Sequence, residues 1–256
     1  MNKNVIEFNT NIGQTKPETI INISAQCPFC DYEHLENIID HCGELTLLEN
    51  KYNVLENSYQ TVLLETRHCG TDMPDYSDEH MHKLIRFGVK HWFNMLDSGE
   101  YKSVLFFKNY GPQSGGSMRH PHMQIVGLKT ADESLMYEKS DFTGIVIKKA
   151  GQVELNVSTS PRMGFCELNI TTQDNTQIDF VADFIKIAVD YLMHHFNSRC
   201  HSYNIFFYRI NGLITVKIMP RFPTSPLFLG YNLRLRPNNL ETIVSEMKNL
   251  YFSKLH

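Results

Sequence analysis

The stretch Arg119-His120-Pro121-His122-Met123-Gln124-Ile125-Val126 places two histidines and a glutamine at the start of an apolar run. Residues i, i+2 and i+4 of a β-strand share one face of the sheet. His120, His122 and Gln124 are therefore predicted to project side by side from a strand. The residues before them, 108–117, form a Gly/Ser/Asn loop of the kind whose backbone N–H groups can wrap phosphate oxygens. The combination predicts chemistry on a phosphate group.

His122 is the candidate nucleophile of this stretch. A neutral imidazole attacks phosphorus well, and the phosphoramidate that forms keeps a good leaving group for a second transfer. One ring nitrogen must be held by a hydrogen bond so that the other presents its lone pair. Gln124 is predicted to contact a phosphate oxygen, and because an amide cannot donate a proton as an imidazole does, it favours transfer over hydrolysis. The alternatives are a structural histidine and a solvent-facing glutamine.

Length and composition indicate a globular protein of the cytoplasm. A chain of 256 residues can bury a sizeable core as one large domain or two small ones. The net charge of -4 gives no general attraction to nucleic acid, which is therefore not expected as a partner. We also expect no membrane association, because the chain starts without an apolar signal core and has no apolar run of transmembrane length. Six cysteines are sparse for a secreted disulfide scaffold.

A faint internal repeat predicts two similar halves, residues 1–132 with the histidine motif and residues 133–256 without it. Each copy is expected to run from a helix into an apolar strand that ends in an Asn/Gly turn, and then into a second strand. The predicted helices are Ser77–Leu96 and Phe180–Asn197, and the strands that follow them are 101–111 with His122–Leu128 and 201–212 with Leu213–Ile218.

The remaining elements complete a prediction of the α+β class. Further strands are predicted at Thr61–Thr66, Thr143–Lys148, Val153–Val157 and Phe165–Ile170, and a last helix at Asn239–Ser253. Ala150-Gly151 is typical of a two-residue hairpin turn. We expect each half to be an antiparallel sheet with a long helix laid on one side.

Cys27-Pro28-Phe29-Cys30 is a CxxC pair, a spacing that lets two thiolates reach one tetrahedral zinc ion. Two more ligands are then needed, and His68 and His120 are the candidates. Cys69, beside His68, is an alternative ligand. A thioredoxin-like redox pair is disfavoured because no βαβ unit surrounds the motif. A pair of unrelated buried cysteines remains open.

These residues together carry a resemblance to a known family. Over nearly its whole length the chain resembles the galactose-1-phosphate uridylyltransferase branch of the histidine triad superfamily. The resemblance rests on Cys27–Cys30, Glu49–Tyr52, Glu65–His68 and, above all, the block from Asn109 to Gln124. It implies a histidine-triad fold and a nucleotidyl-histidine intermediate.

The resemblance also assigns roles to single residues. It implies a structural zinc ion on Cys27, Cys30, His68 and His120, catalysis by His122 and Gln124, and nucleotide binding by Asn50, Asn109, Gly115, Gly116 and Ser117. The implied partners are a nucleotide sugar or another nucleotide diphosphate compound, and a phosphate-bearing acceptor. Because relatives often dimerise, it further implies a homodimer.

The chain departs from the family pattern where the acceptor would be recognised. Thr215 and Lys217 stand where the uridylyltransferases carry a His-x-His pair, so we expect no second metal. Asn232 and Pro226 replace the acidic residue and the lysine of the sugar-phosphate segment, and no arginine-rich segment precedes Cys27. The prediction is a nucleotidyltransferase with an acceptor other than galactose 1-phosphate. The alternatives are a phosphorylase of the dinucleoside polyphosphate type, a hydrolase, a catalytically silent nucleotide-binding protein and a purely structural zinc protein.

Overall fold

The structure is a computed structural model that describes residues 5–253, and its main feature is one continuous antiparallel sheet. The strands in chain order are β1 (Ile38–Cys42), β2 (Leu45–Glu49), β3 (Ser58–Leu64), β4 (Ser103–Tyr110), β5 (His122–Leu128), β6 (Gly144–Ala150), β7 (Val153–Ser158), β8 (Leu168–Thr172), β9 (Tyr203–Ile210) and β10 (Leu213–Pro220). Across the sheet they follow the order β1-β2-β3-β5-β4-β9-β10-β8-β7-β6. The α+β class predicted from the sequence is confirmed.

Three helices cover one face of this sheet, namely α2 (Asp78–Asp97), α3 (Ile178–Asp190) and α5 (Leu240–Met247). The short helices α1 (Thr10–Thr15) and α4 (Pro226–Tyr231) have no buried residues. Tyr191–Phe196 and Lys248–Phe252 prolong α3 and α5 as π-helical turns. The Ser77 hydroxyl caps α2 by accepting the His80 N–H, as its position at the predicted helix start suggested. Within residues 5–253, no helix is both long and apolar enough to cross a membrane.

Alternation along the strands separates the two faces of the sheet. Met123 and Ile125 of β5 are fully buried and join the core under α2 and α3. His122 and Gln124 alternate with them and therefore face the opposite side, away from these helices. The fold thus places the histidine motif on the open face of the sheet.

The strand order reads alike from both edges, and β4 and β9 pair at the centre. Phe106 lies opposite Phe207 in this pair, and their rings stack at 4.3 Å between centroids. One apolar core runs beneath both halves of the sheet. The division of the chain at residues 132 and 133 falls between β5 and β6 and stays a prediction.

Two predicted strands are shifted, for local reasons. β3 ends at Leu64 instead of Thr66, because its partner strand β5 begins at His122, which lies opposite Leu64. β8 starts at Leu168 rather than Phe165, whose φ of 66° is incompatible with an extended strand. Strands β1 and β2 were not predicted.

Candidate functional site

His122 opens strand β5 with its imidazole almost completely enclosed. Its Nδ1 lies 2.7 Å from the carbonyl oxygen of His120, so the Nδ1–H group donates to that carbonyl and Nε2 keeps its lone pair. Only 7% of the residue is exposed. Burial lowers the pKa of His122 to about 4, and the charge of Lys108 adds to that shift. The ring is therefore neutral at neutral pH, as a nucleophile must be.

The Phe29 ring and the Gln124 amide share the open face of the sheet with His122. The Phe29 ring lies 5.8 Å from the His122 ring between centroids. Gln124 is half-buried and stands in register between Val62 of β3 and Phe107 of β4. The structure thus places Gln124 on the same side of the sheet as His122.

The loop between β4 and β5 takes a shape that depends on glycine. Gly111 has a φ of 82°, and a Cβ atom there would lie 2.1 Å from the carbonyl oxygen of His201. Gly115 has a φ of 85°, which also favours glycine. The Ser114 hydroxyl accepts the Gly116 N–H at 3.2 Å, which holds the turn closed. Within residues 5–253 the buried Ser117 hydroxyl has no hydrogen-bond partner, and such a group suits an oxygen-rich ligand.

Asn109, at the end of β4, is fixed from the second half of the sheet. The Asn204 amide donates to Asn109 Oδ1 at 2.6 Å and to the Ser114 carbonyl at 3.0 Å. This leaves the Asn109 NH₂ group to donate elsewhere. Asn50 directly follows β2, where its side chain accepts the Tyr52 N–H at 3.0 Å. Of the predicted nucleotide residues, three thus lie in the loop, Asn109 lies at the end of β4 just before it, and Asn50 lies in the turn after β2.

A compact group of thiols and imidazole lies beside the histidine strand. The ligand atoms of Cys27, Cys30, Cys69 and His120 all lie within 4.8 Å of one another. Cys30 Sγ and His120 Nδ1 are 3.6 Å apart. Two ligands of a tetrahedral zinc ion with ordinary Zn–S and Zn–N bonds would be separated by about 3.5 Å. This cluster could therefore hold a metal ion.

The second ring nitrogen of His120 is fixed as a metal ligand requires. His120 Nε2 lies 2.8 Å from the Thr66 carbonyl, to which its N–H donates, so Nδ1 turns towards the thiols. Burial and the neighbouring thiols raise the pKa of Cys30 to about 12, so a nearby cation would be needed to hold it as a thiolate.

Cys69, rather than the predicted His68, completes this cluster. His68 is exposed and lies outside the group, whereas Cys69 is half-buried within it. The His68 N–H donates to the Thr66 hydroxyl at 3.2 Å, and Gly70 follows with a φ of 95°. This local turn directs the Cys69 thiol to the cluster and the His68 ring to solvent.

A buried ion network supports the end of β3 from the helix side. Lys108 Nζ lies 2.6 Å from Glu65 Oε1 and 3.1 Å from Asp72 Oδ1. The Tyr203 hydroxyl donates to Asp72 at 2.6 Å, and the Tyr76 hydroxyl donates to Glu65 at 3.1 Å. Buried charges of this kind are costly unless paired, and here they are paired on several sides. The network fixes the segment that carries the Thr66 carbonyl and Cys69.

Lys16 is a site residue that sequence reasoning missed. It is half-buried, and within residues 5–253 no carboxylate pairs with its ammonium group. Burial lowers its pKa, and its charge is close enough to contribute to the low pKa of His122. The Thr19 N–H donates to the Ser117 carbonyl at 2.8 Å, and the Arg119 N–H donates to the Thr19 hydroxyl at 2.8 Å. These bonds hold the segment that carries Lys16 against the loop, a contact for which the sequence offers no local signal.

Comparison with known proteins identifies the family. Residues 8–131 match the N-terminal domain, and residues 134–252 the C-terminal domain, of DUF4931, a domain of unknown function. A crystal structure of a DUF4931 family protein from Bacillus cereus ATCC 10987 is 40% identical, with a TM-score of 0.77 over 85% of this chain and 100% of that chain. No curated protein matches this sequence.

More distant solved structures share the fold. A galactose-1-phosphate uridylyltransferase-like protein from Arabidopsis thaliana is 16% identical, with a TM-score of 0.71 over 88% of this chain and 91% of its own. An ADP-glucose phosphorylase from Arabidopsis thaliana with bound ADP-glucose is 14% identical, with a TM-score of 0.73 over 90% of this chain and 91% of its own. The chain therefore belongs to the DUF4931 family, and its fold is that of the uridylyltransferase-like branch of the histidine triad superfamily.

Proposed function

We propose that this protein is a nucleotidyltransferase that works through a covalent nucleotidyl-His122 intermediate. The observation that carries the proposal is the buried, neutral His122 ring, whose Nδ1–H is tied to the His120 carbonyl at 2.7 Å. That bond leaves Nε2 as the only ring atom able to attack, and it stabilises the ring as positive charge develops on it.

In the first step, Nε2 attacks the α-phosphorus of a nucleoside diphosphate compound. The P–N bond forms, the bond to the bridging oxygen breaks, and its electron pair leaves with the phosphorylated leaving group. The loop N–H groups, Gln124 and the Lys16 ammonium stabilise the charge on the phosphoryl oxygens. In the second step, a phosphate oxygen of the acceptor attacks the same phosphorus, and the P–N electron pair returns to His122.

Cys27, Cys30, Cys69 and His120 would hold a zinc ion. Because all four ligands come from the protein, its role would be structural. A bound zinc ion would join the Cys27–Cys30 turn and the Cys69 segment to the residues just before β5. Next to these ligands, the Thr66 carbonyl accepts a hydrogen bond from His120 Nε2 and so orients the His120 ring.

Transfer to inorganic phosphate is the second candidate, and the region that follows β10 favours it. Short helix α4 stands in the place of the family's sugar-phosphate segment and presents Leu229 and Tyr231, which are 73% and 75% exposed, instead of charged groups. An inorganic phosphate acceptor needs no sugar contacts. Such an enzyme would be a nucleotide phosphorylase with the same first step.

Product analysis tests the proposed function. The enzyme would be mixed with a panel of nucleotide sugars and dinucleoside polyphosphates, with either orthophosphate or a phosphate ester as acceptor, and the products followed by ³¹P NMR. We expect turnover with at least one pair, loss of turnover in His122→Ala, and no change in His41→Ala, which alters an exposed histidine. Full turnover by His122→Ala would overturn the proposal.

A further inference from the structure

A cavity of about 440 Å³ lies on the open face, where the two halves of the sheet meet. Its floor consists of open-face side chains of β4 and β9, namely Leu105, Phe107, Asn109, Asn204, Phe206 and Tyr208. Asn109 also belongs to the loop before His122, so the cavity adjoins the proposed nucleotide site.

The strand register brings this cavity level with the reactive histidine. Phe206 of β9 lies opposite Phe107 of β4, and Phe107 lies opposite Gln124 of β5. Side chains paired in this way point to the same face of a sheet. Since neighbouring strands are about 4.8 Å apart, a molecule lying on Phe206 and Phe107 can reach the row of Gln124 and His122.

One end of the cavity is suited to an anion. Arg221 is half-buried and donates to Asn204 Oδ1 at 2.7 Å, and within residues 5–253 no carboxylate pairs with it. Asn204 in turn holds Asn109 and the Ser114 carbonyl of the phosphate loop. A desolvated guanidinium without a counter-ion favours a phosphate or carboxylate. The anionic end of a bound molecule would therefore lie near Arg221, next to the loop.

Arg162 adds a second guanidinium group to the lining of the cavity. Arg162 donates through Nη2 to the Met136 carbonyl at 2.7 Å, and its buried Nη1 has no hydrogen-bond partner within residues 5–253. The nearest carboxylate oxygen, on Asp141, lies 3.5 Å from Nη1. Arg162 Nη1 can therefore donate a hydrogen bond to a ligand in the cavity, and the Asp141 carboxylate partly balances the charge of the guanidinium group.

The rest of the cavity is mainly aromatic and aliphatic, with one carboxylate on Glu133. Phe107 and Phe206 form the floor, and Tyr137 meets Tyr208 edge-to-face at 5.1 Å between centroids. Aromatic surfaces of this kind stack favourably on a planar or apolar group and offer few partners to the hydroxyls of a sugar.

We propose that this cavity is the acceptor subsite, and that the acceptor is a phosphate monoester whose organic part is planar or apolar rather than a hexose. The inference rests on the proposed nucleotidyl-His122 intermediate. An oxygen of the acceptor phosphate attacks the nucleotidyl phosphorus, a P–O bond forms, and the P–Nε2 bond breaks with return of its electron pair to His122. The product is a diphosphate diester.

Direct binding tests the cavity independently of catalysis. The probe is 4-fluorophenyl phosphate, followed by ¹⁹F NMR with the full-length protein. We expect Phe206→Ala and Tyr137→Ala, which alter different segments, each to weaken binding at least about tenfold, and Arg221→Gln to do the same. Phe180→Ala and Arg199→Gln, which remove an exposed ring and an exposed charge elsewhere, should leave it unchanged. Equal binding by wild type, Phe206→Ala and Tyr137→Ala would overturn the assignment.

Discharge of the nucleotidyl-enzyme tests the acceptor class. The ratio of its discharge rates with 4-fluorophenyl phosphate and with glucose 1-phosphate should exceed one, and Phe206→Ala should lower that ratio at least about tenfold. A ratio below one in the wild type would contradict the acceptor class. If no nucleotidyl-enzyme forms, the proposed function fails, whereas the NMR binding result still decides whether the cavity takes aromatic phosphates.

Discussion

At the scale of single residues, the proposed chemistry depends on how one imidazole is held. His122 combines near-complete burial with a single hydrogen bond from Nδ1 to the His120 carbonyl. Burial keeps the ring neutral, and the hydrogen bond leaves Nε2 as the nitrogen that would attack in the proposed reaction. His120 thus has two roles. Its ring belongs to the cluster with Cys27, Cys30 and Cys69, and its backbone carbonyl accepts the hydrogen bond that orients His122.

The pH dependence of the first step follows from the pKa of His122. Burial lowers that pKa from 6.5 to about 4, so the ring is deprotonated throughout the neutral range. We expect the single-turnover rate of nucleotidyl-enzyme formation to stay level from about pH 8 down to about pH 5 and to fall below that. Stopped-flow quench experiments would measure it. A rate that already halves near pH 6.5 would show an ordinary, solvated histidine.

The same shift makes folding stability depend on pH. The unfolded chain binds the His122 proton below about pH 6.5, whereas the folded protein binds it only near pH 4. The contribution of His122 to the free energy of unfolding is therefore fully present above pH 6.5 and is lost as the pH falls towards 4. Urea titrations of wild type and His122→Gln at several pH values would show a smaller pH dependence in the variant. Identical pH dependence would contradict the buried state.

Lys16 provides a second test at this scale. Its half-buried ammonium, which pairs with no carboxylate among residues 5–253, should stabilise charge on the transferring phosphoryl group, so Lys16→Gln should slow nucleotidyl-enzyme formation by roughly 10²-fold. Lys16→Arg should retain much of the rate because it keeps the charge. Lys248→Gln, at an exposed position on the helix side, is the matched control. An unchanged rate in Lys16→Gln would exclude the role.

At the scale of elements, the cluster of Cys27, Cys30, Cys69 and His120 joins three separate segments. Cys27 and Cys30 come from a short 3₁₀ turn, Cys69 from the segment after β3, and His120 from the residue pair before β5. A metal ion there would fix the start of β5 in space. The position of His122 would then depend on the metal, even though a structural metal would take no part in the reaction.

Metal analysis distinguishes Cys69 from His68 as a ligand. Wild type and His68→Ala should each bind about one zinc ion per chain, because His68 is exposed and lies outside the cluster. Cys69→Ser should lose most of the zinc and melt at a lower temperature, because one of four ligands is gone. Elemental analysis and thermal melting measure both effects. Zinc loss in His68→Ala with retention in Cys69→Ser would contradict the geometry.

The elements also show what a sequence can and cannot predict. The long helices and β5 were predictable because their apolar residues repeat with the period of the element. Strand β1 was not, because its Ile38 and Ile39 are exposed on an edge strand without alternating burial. A local turn at Gly70 decides whether His68 or Cys69 joins the cluster of possible metal ligands. The position of Lys16 depends on contacts between its segment and residues about a hundred positions away in the sequence. Neither feature leaves a periodic signal in the sequence.

At the scale of the whole molecule, the pairing of β4 with β9 makes one sheet of two halves. The stacked rings of Phe106 and Phe207 lie at this junction, buried under the helices. The open side of the same junction carries the proposed acceptor cavity. The halves are thus joined by a shared core on one face and by a candidate site on the other.

Removing one of these rings should destabilise the whole molecule. Phe106→Ala should lower the free energy of unfolding by about 3–5 kcal/mol, because it leaves a cavity in a core shared by both halves. Unfolding should remain a single transition in calorimetry. Phe180→Ala, at an exposed position, should change stability by less than about 0.5 kcal/mol. Two separate transitions, only one of them shifted, would contradict a shared core.

The most direct test of the whole account is intact-mass spectrometry of the protein after brief mixing with a panel of nucleotide donors at neutral pH. We expect an acid-labile gain of one nucleoside monophosphate in the wild type and in His41→Ala, and no gain in His122→Ala. The added mass would also name the base. A wild-type protein that turns donors over without any such gain, or a His122→Ala variant that still gains it, would contradict a mechanism through His122.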